Sequence, residues 1–167
     1  MDLFLSEKFY NPTKGSLSLD EVLREMMAYI QEAPHKKYEV VVGCDSSATE
    51  DPTFPVVIVI LRKKAGGRFF LRRVHYPNRP FPNRRQRVLE EVLLSCQLAL
   101  WLREHFGHLA LQNGLVYDFY YIHADVGENG VTRDMIKEVT GLIRGNGFEP
   151  KIKPEAFAAS TVADRFS

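Results

Sequence analysis

The sequence predicts an α/β sandwich, a five-stranded mixed sheet covered by helices. Three observations predict it. Three β-rich runs come first, at 38–45, 55–61 and 68–75, close enough together to be joined by short antiparallel connections. A long helical segment then precedes a fourth apolar run at 115–124. A second helical segment precedes a short fifth run at 148–152. Helical crossovers of this kind insert strands in parallel, so the order β-β-β-α-β-α-β-α describes a mixed sheet.

Each element has its own local signal. Ser18-Leu19-Asp20-Glu21 has the form of a capping box, and apolar residues follow at Val22, Met26, Tyr29 and Ile30. A leading helix over 19–32 follows, stopped by Pro34. Ala65-Gly66-Gly67 is the turn between the second and third strands. Residues 76–83 hold three prolines and read as a loop. Residues 84–106 contain no Pro or Gly and read as a long helix, apolar around much of its circumference and so buried on more than one side. Residues 132–144 read as a helix closed by Gly145-Asn146-Gly147, and Pro154 opens a final helix that runs nearly to Ser167. The expected organisation is a single domain over 1–167, with residues 1–35 as an extension whose helix packs on the core.

Composition excludes several classes. The chain has 167 residues, 45% hydrophobic and 26% charged, as in an ordinary globular protein. No run approaches the length of a membrane span, and the first residues lack the basic and apolar regions of a secretion signal. Cys44 and Cys96 have no CxxC or Cys/His spacing, so two reduced thiols and a cytoplasmic location are expected. The loop 126–130 lacks the GxxxxGK[ST] pattern, which argues against an ATPase.

Charge is uneven despite a net charge of +1. Ten Lys or Arg residues and no acid lie between Arg62 and Arg87, leaving about −9 on the remainder. Arg72, Arg73, Arg84 and Arg85 are the candidate phosphate contacts in this block, a nucleic-acid surface; a solvated hairpin is the plainer alternative. Lys151 and Lys153, beside the last predicted helix, are further candidates. Tyr76 and Phe81 either stack on bases or cover the end of the core.

The chemistry is signalled by two apolar runs that break on an acid, Val40-Val41-Val42-Gly43-Cys44-Asp45 and Tyr120-Tyr121-Ile122-His123-Ala124-Asp125. A charge beside a core is costly unless it is paired or binds a metal. Two such strands bring two carboxylates to one place, the donor chemistry that suits hard cations such as Mg²⁺ or Mn²⁺. Absence of clustered Cys or His argues against zinc. His123 lies on the same side of its strand as Asp125, where it either steers a proton or packs with one nitrogen satisfied.

The element order is that of the ribonuclease H fold, which has acids on its first strand, the following long helix, the fourth strand and the last helix. Asp45, Glu90 or Glu91, Asp125 and Asp164 fill those four places. Glu91 shares a helix line with Arg84, Val88, Ser95, Leu98 and Leu102, with small Ser95 one turn below it, and is the preferred member of its pair; Glu90 could be a solvated surface acid. The sequence further resembles the ribonuclease H-like YkuK family of bacterial proteins. The matching stretches are Phe9-Tyr10-Asn11 with Gly15, Val42 to Ser46, Ile122 to Gly130, and Gly147 to Asp164. The resemblance implies a ribonuclease H-like fold. It also implies hydrolysis of phosphodiester bonds in RNA or DNA by two metal ions roughly 3.5–4 Å apart. Asp45 would bridge the two ions, Glu91 and Asp125 would hold one, and Asp164 the other. The competing class is a catalytically silent nucleic-acid-binding or protein-interaction module on the same scaffold.

Overall fold

The structure is a computed structural model that describes residues 8–128 and 132–156. Its described residues form one seven-stranded sheet with three α-helices and a short 3₁₀ turn, two strands more than expected. The extra pair is an N-terminal hairpin, β1 (Phe9–Asn11) and β2 (Gly15–Leu17). Asn11 closes its turn by accepting hydrogen bonds from the backbone N–H of Thr13 and Lys14, and Gly15 takes the left-handed conformation (φ 76°) that the turn requires. The hairpin adds to the sheet through Tyr10, paired with Leu71.

Helix α1 (Leu19–Glu32) has the expected bounds. Ser18 Oγ accepts from the Glu21 N–H while Glu21 Oε1 accepts from the Ser18 N–H, a complete capping box. Strands β3 (Tyr38–Cys44), β4 (Thr53–Arg62) and β5 (Gly67–His75) form an antiparallel meander. Helix α2 (Arg84–Asn113) is capped by Asn83 and ends at Gly114 in the left-handed conformation. It continues seven residues past the predicted end at Phe106, running through Gly107. One interior glycine costs only about 1 kcal/mol, and the added turns bury Ala110.

Strand β6 (Asp118–His123) follows. A 3₁₀ turn (Arg133–Met135), helix α3 (Ile136–Gly145) and strand β7 (Glu149–Lys151) complete the described chain. The first turn of the helix predicted over 132–144 is thus 3₁₀. Gly147 (φ 86°) supplies the left-handed residue after α3. Described residues following Pro154 form a turn, with Glu155 and Ala156 donating to the Ile152 carbonyl. Asp164 and the rest of the final predicted helix lie outside the described residues.

The strand order is β2-β1-β5-β4-β3-β6-β7. Strands β3, β6 and β7 are mutually parallel, as the crossovers required. One irregularity interrupts the β3–β6 ladder: Glu39 pairs with Asp118 but Val41 with Tyr121, so β6 carries an extra residue there. One sheet face joins α1, α2 and α3 in the main core, through Val40, Val42, Val56, Ile58, Phe70 and Ile122 among others. The opposite face gathers a smaller cluster of Val41, Val57, Val59 and Leu71.

Candidate active site

The parallel register sets the site. Val41, Val42 and Gly43 of β3 pair with Tyr121, Ile122 and His123 of β6. Tyr121, Ile122 and His123 pair in turn with Glu149, Pro150 and Lys151 of β7. Asp45, Asp125 and Lys153 each lie two residues beyond those paired positions, at the same end of three adjacent strands. On the other flank Cys44 pairs with Val56 and Pro55 with Arg73, so the same row continues to Arg73 on β5. Strands are about 4.8 Å apart, so two acids stand centrally, with a cation one strand from Asp125 and another two strands from Asp45. Backbone pairing thereby brings these residues to one end of the sheet.

Side-chain contacts refine the picture. Asp45 is buried at 8% exposure. Asp125 is held by two cations: Lys153 Nζ lies 2.6 Å from Oδ1, and Arg84 Nη2 lies 3.9 Å from Oδ2. The Lys153 contact is an ion pair without hydrogen-bond alignment, and Oδ1 is a buried oxygen with no aligned donor. Lys151 pairs in register with His123 but sets its ammonium 4.2 Å over the Tyr121 ring. His123 is buried, and burial, assisted by the Lys151 charge, pulls its imidazole down to about 4, so the ring is neutral at pH 7.

Glu90 and Glu91 are both buried, so Glu90 is not a solvated acid. They face different partners. Glu90 accepts from the Tyr76 hydroxyl at 2.5 Å and from Arg79 at 3.3 Å, while Arg79 stacks over the Tyr76 and Phe81 rings. Burial, reinforced by this carboxylate, raises the Tyr76 phenol well above its ordinary value. Phe81 is 1% exposed and packs edge-on against Phe54, so this aromatic group covers the end of the core. Glu91 instead accepts from the Ser46 N–H at 2.9 Å and the Ser46 hydroxyl at 2.5 Å, the residue directly after Asp45. Burial pushes its carboxyl up to about 7, against those two hydrogen bonds, and the charge of Asp125 adds to the push. In the sequence Ser46 stood only at the end of a matching stretch, with no role assigned; its adjacency to Asp45 was the available signal.

The basic block divides. Arg62 packs over Tyr29 and donates to the Tyr38 hydroxyl and the Tyr29 carbonyl, at the sheet end remote from the acids. Arg68 also stacks on Tyr29. Arg72 and Arg73 lie at the acid end of β5, where Arg72 donates to the Arg73 carbonyl. Arg84 reaches Asp125, whereas Arg85 is engaged by both carboxylate oxygens of Glu138.

The donor chemistry fits a hard cation: carboxylates, one with a buried oxygen lacking an aligned donor, and a second whose carboxyl is raised by burial. No group of three His, Cys, Asp or Glu side chains among the described residues is already gathered around one point. Glu91 is turned to Ser46 and Asp125 to Lys153.

The profile of the Ribonuclease H-like family matches residues 21–167. Among curated proteins, the chain is similar to the uncharacterized protein YkuK of Bacillus subtilis (strain 168). The two are 29% identical over 167 residues, covering 95% of this chain and 96% of that protein. No solved structure matches the chain. No helix among the described residues is long and apolar enough to cross a membrane. With a mixed α/β sheet of this connectivity and a match across most of its length, the chain belongs to the ribonuclease H-like family, as the YkuK resemblance implied.

Proposed function

We propose that the protein is a metal-dependent nuclease that hydrolyses phosphodiester bonds of RNA or DNA. The observation that carries this reading is the register placing Asp45 and Asp125 at equivalent positions past the ends of adjacent parallel strands, with buried Glu91 bonded to the residue between strand end and loop. Asp45, Glu91 and Asp125 would hold Mg²⁺ or Mn²⁺, and Asp164, from the segment beyond the described residues, would complete the set. Bound ions supply activation of a water and stabilisation of the leaving oxygen. The chain itself would orient the carboxylates: Ser46 hydrogen-bonds Glu91, and the two aspartates follow the last paired residues of adjacent parallel strands. Arg73 and Arg84, with Lys151 and Lys153, would position the phosphate backbone. Arg72 would assist from the same strand end, and Arg85 would contribute only after leaving Glu138.

A second reading, a silent nucleic-acid-binding module, draws support from the pairing of Asp125 with Lys153 and Arg84. Incubation with labelled single-stranded, duplex and hybrid RNA and DNA, with Mn²⁺ or with chelator, separates the two. The nuclease reading expects Mn²⁺-dependent cleavage that Asp45→Asn abolishes. Binding without cleavage of any substrate would overturn it.

A further inference from the structure

We propose that Lys153 is an exchangeable counter-ion, occupying Asp125 until a divalent cation displaces its ammonium toward the substrate phosphate. This rests on the metal-dependent reading above and adds a competition that the reading does not require.

The geometry is specific on three points. First, the ammonium sits 2.6 Å from Asp125 Oδ1 without hydrogen-bond alignment, so the contact is held by charge alone. A divalent ion supplies more charge to the same oxygen, and two cations cannot share it without mutual repulsion. Second, the base of the side chain is fixed while its tip is free to swing. The Lys153 N–H donates to the Val126 carbonyl at 2.8 Å, continuing the ladder in which the Ala124 N–H donates to the Lys151 carbonyl. Gly127 packs against the stem so closely that a Cβ there would meet the Lys153 Cβ at 3.0 Å. Third, Lys153 lines an open cleft of about 370 Å³ with Gly127, Glu128, Ile152, Pro154 and Glu155, and its side chain is 48% exposed. An ammonium on a flexible stem can therefore leave Asp125 with no change in the backbone. Arg84, at 3.9 Å from the other oxygen, is too distant to replace it fully.

A static structural salt bridge would look the same at rest, but the two differ in how metal binding responds. The test is titration calorimetry of the full chain with Mn²⁺ at pH 7.5, in the parent, in Lys153→Met and in Gly127→Ala. Removing a charge that competes for the ligand should tighten Mn²⁺ binding by about tenfold in Lys153→Met, allowing for solvent screening of a half-exposed lysine. Gly127→Ala keeps the lysine but displaces its stem, so it should tighten binding by a smaller factor, and it serves where Lys153→Met fails to fold. Nucleic-acid affinity of Lys153→Met in Mn²⁺ should fall, with a log–log salt slope shallower by about one. Mn²⁺ binding that is equal or weaker in both variants overturns the counter-ion role and leaves the metal site standing. Absence of Mn²⁺ binding in the parent and in both variants overturns the metal site and this inference together.

Discussion

Glu91→Gln should remove a pH dependence of stability that the parent carries in chelator. Glu91 is 5% exposed, and burial pushes its carboxyl up to about 7, against an ordinary value of 4.5. Between those two values the folded chain keeps a proton that the unfolded chain has released, so stability falls as pH rises. The separation is worth about 3 kcal/mol, absent below pH 4.5 and complete above pH 7. Glutamine carries no such penalty and still accepts from Ser46. His123 acts in the opposite sense. Its folded value of about 4 lies below the ordinary 6.5, so stability falls as pH drops through that interval. That background is shared by parent and variant, so their difference isolates Glu91. The assay is paired thermal and urea melts from pH 4.5 to 8.5 with chelator. Relative to the parent, Glu91→Gln should gain about 3 kcal/mol across the range, a Tm gap widening by about 6–12 °C. Saturating Mn²⁺ should close the gap at high pH by stabilising the parent alone. Parallel curves across the whole range would refute the reasoning, because Glu91 would then be as well solvated folded as unfolded.

Asp45→Asn should fold and, in chelator, melt at or above the parent temperature while losing most of the Mn²⁺-dependent rise; a melt well below the parent in chelator would make Asp45 a structural acid. Tyr76→Phe removes a hydroxyl bonded to Glu90, and should cost about 1.5–3 kcal/mol in urea melts while leaving the Mn²⁺ response unchanged. A diminished Mn²⁺ response would move Glu90 into the metal site. Arg73→Glu with Arg84→Glu should weaken nucleic-acid binding and flatten its salt dependence, whereas Arg85→Ala should change affinity little, since Glu138 already engages that guanidinium. Fluorescence anisotropy over a salt series distinguishes the three.

Elements governed by local chemistry were legible in the sequence. The capping box located α1 to the residue, and continuous β-branched runs marked β3 and β4. Asp45 and Asp125 stood out because an acid at the end of an apolar strand is locally anomalous. Elements governed by distant partners were not legible. Strands β1 and β2 are three residues each, too short for any period, and exist because Tyr10 pairs with Leu71. The two glutamates look alike in sequence; what separates them is Ser46 on one side and Tyr76 with Arg79 on the other. Lys153 carried a basic charge that suggested phosphate, but its pairing with Asp125 depends on the register of β7 against β6, which no local pattern encodes. Likewise the basic block reads as one surface in sequence, whereas β5 carries Arg68 and Arg73 toward opposite ends of the sheet.

The irregularity between β3 and β6 acts as a phase shifter. Before it, the partner of a β3 residue lies 79 positions further along the chain, as in Glu39 and Asp118. After it the interval is 80, as in Val41 and Tyr121. If the same chain paired straight through at an interval of 79, the position beside Asp45 would fall to Ala124, and Asp125 would be carried out of step. Because successive strand residues alternate between faces, a slip of one does not shift a side chain slightly; it sends it to the opposite side of the sheet. Residues 119–120 of β6 therefore act at a distance, as a counting device whose product is the alignment of two acids several residues downstream. Substitution there leaves the count intact, so side chains as exposed as Tyr120 are free to vary. Deletion of either residue would close the bulge and keep Asp125 in step with Asp45, whereas a ladder that ran straight through residues 119 and 120 at full length would change the count, and with it the side of the sheet on which the chemistry is assembled.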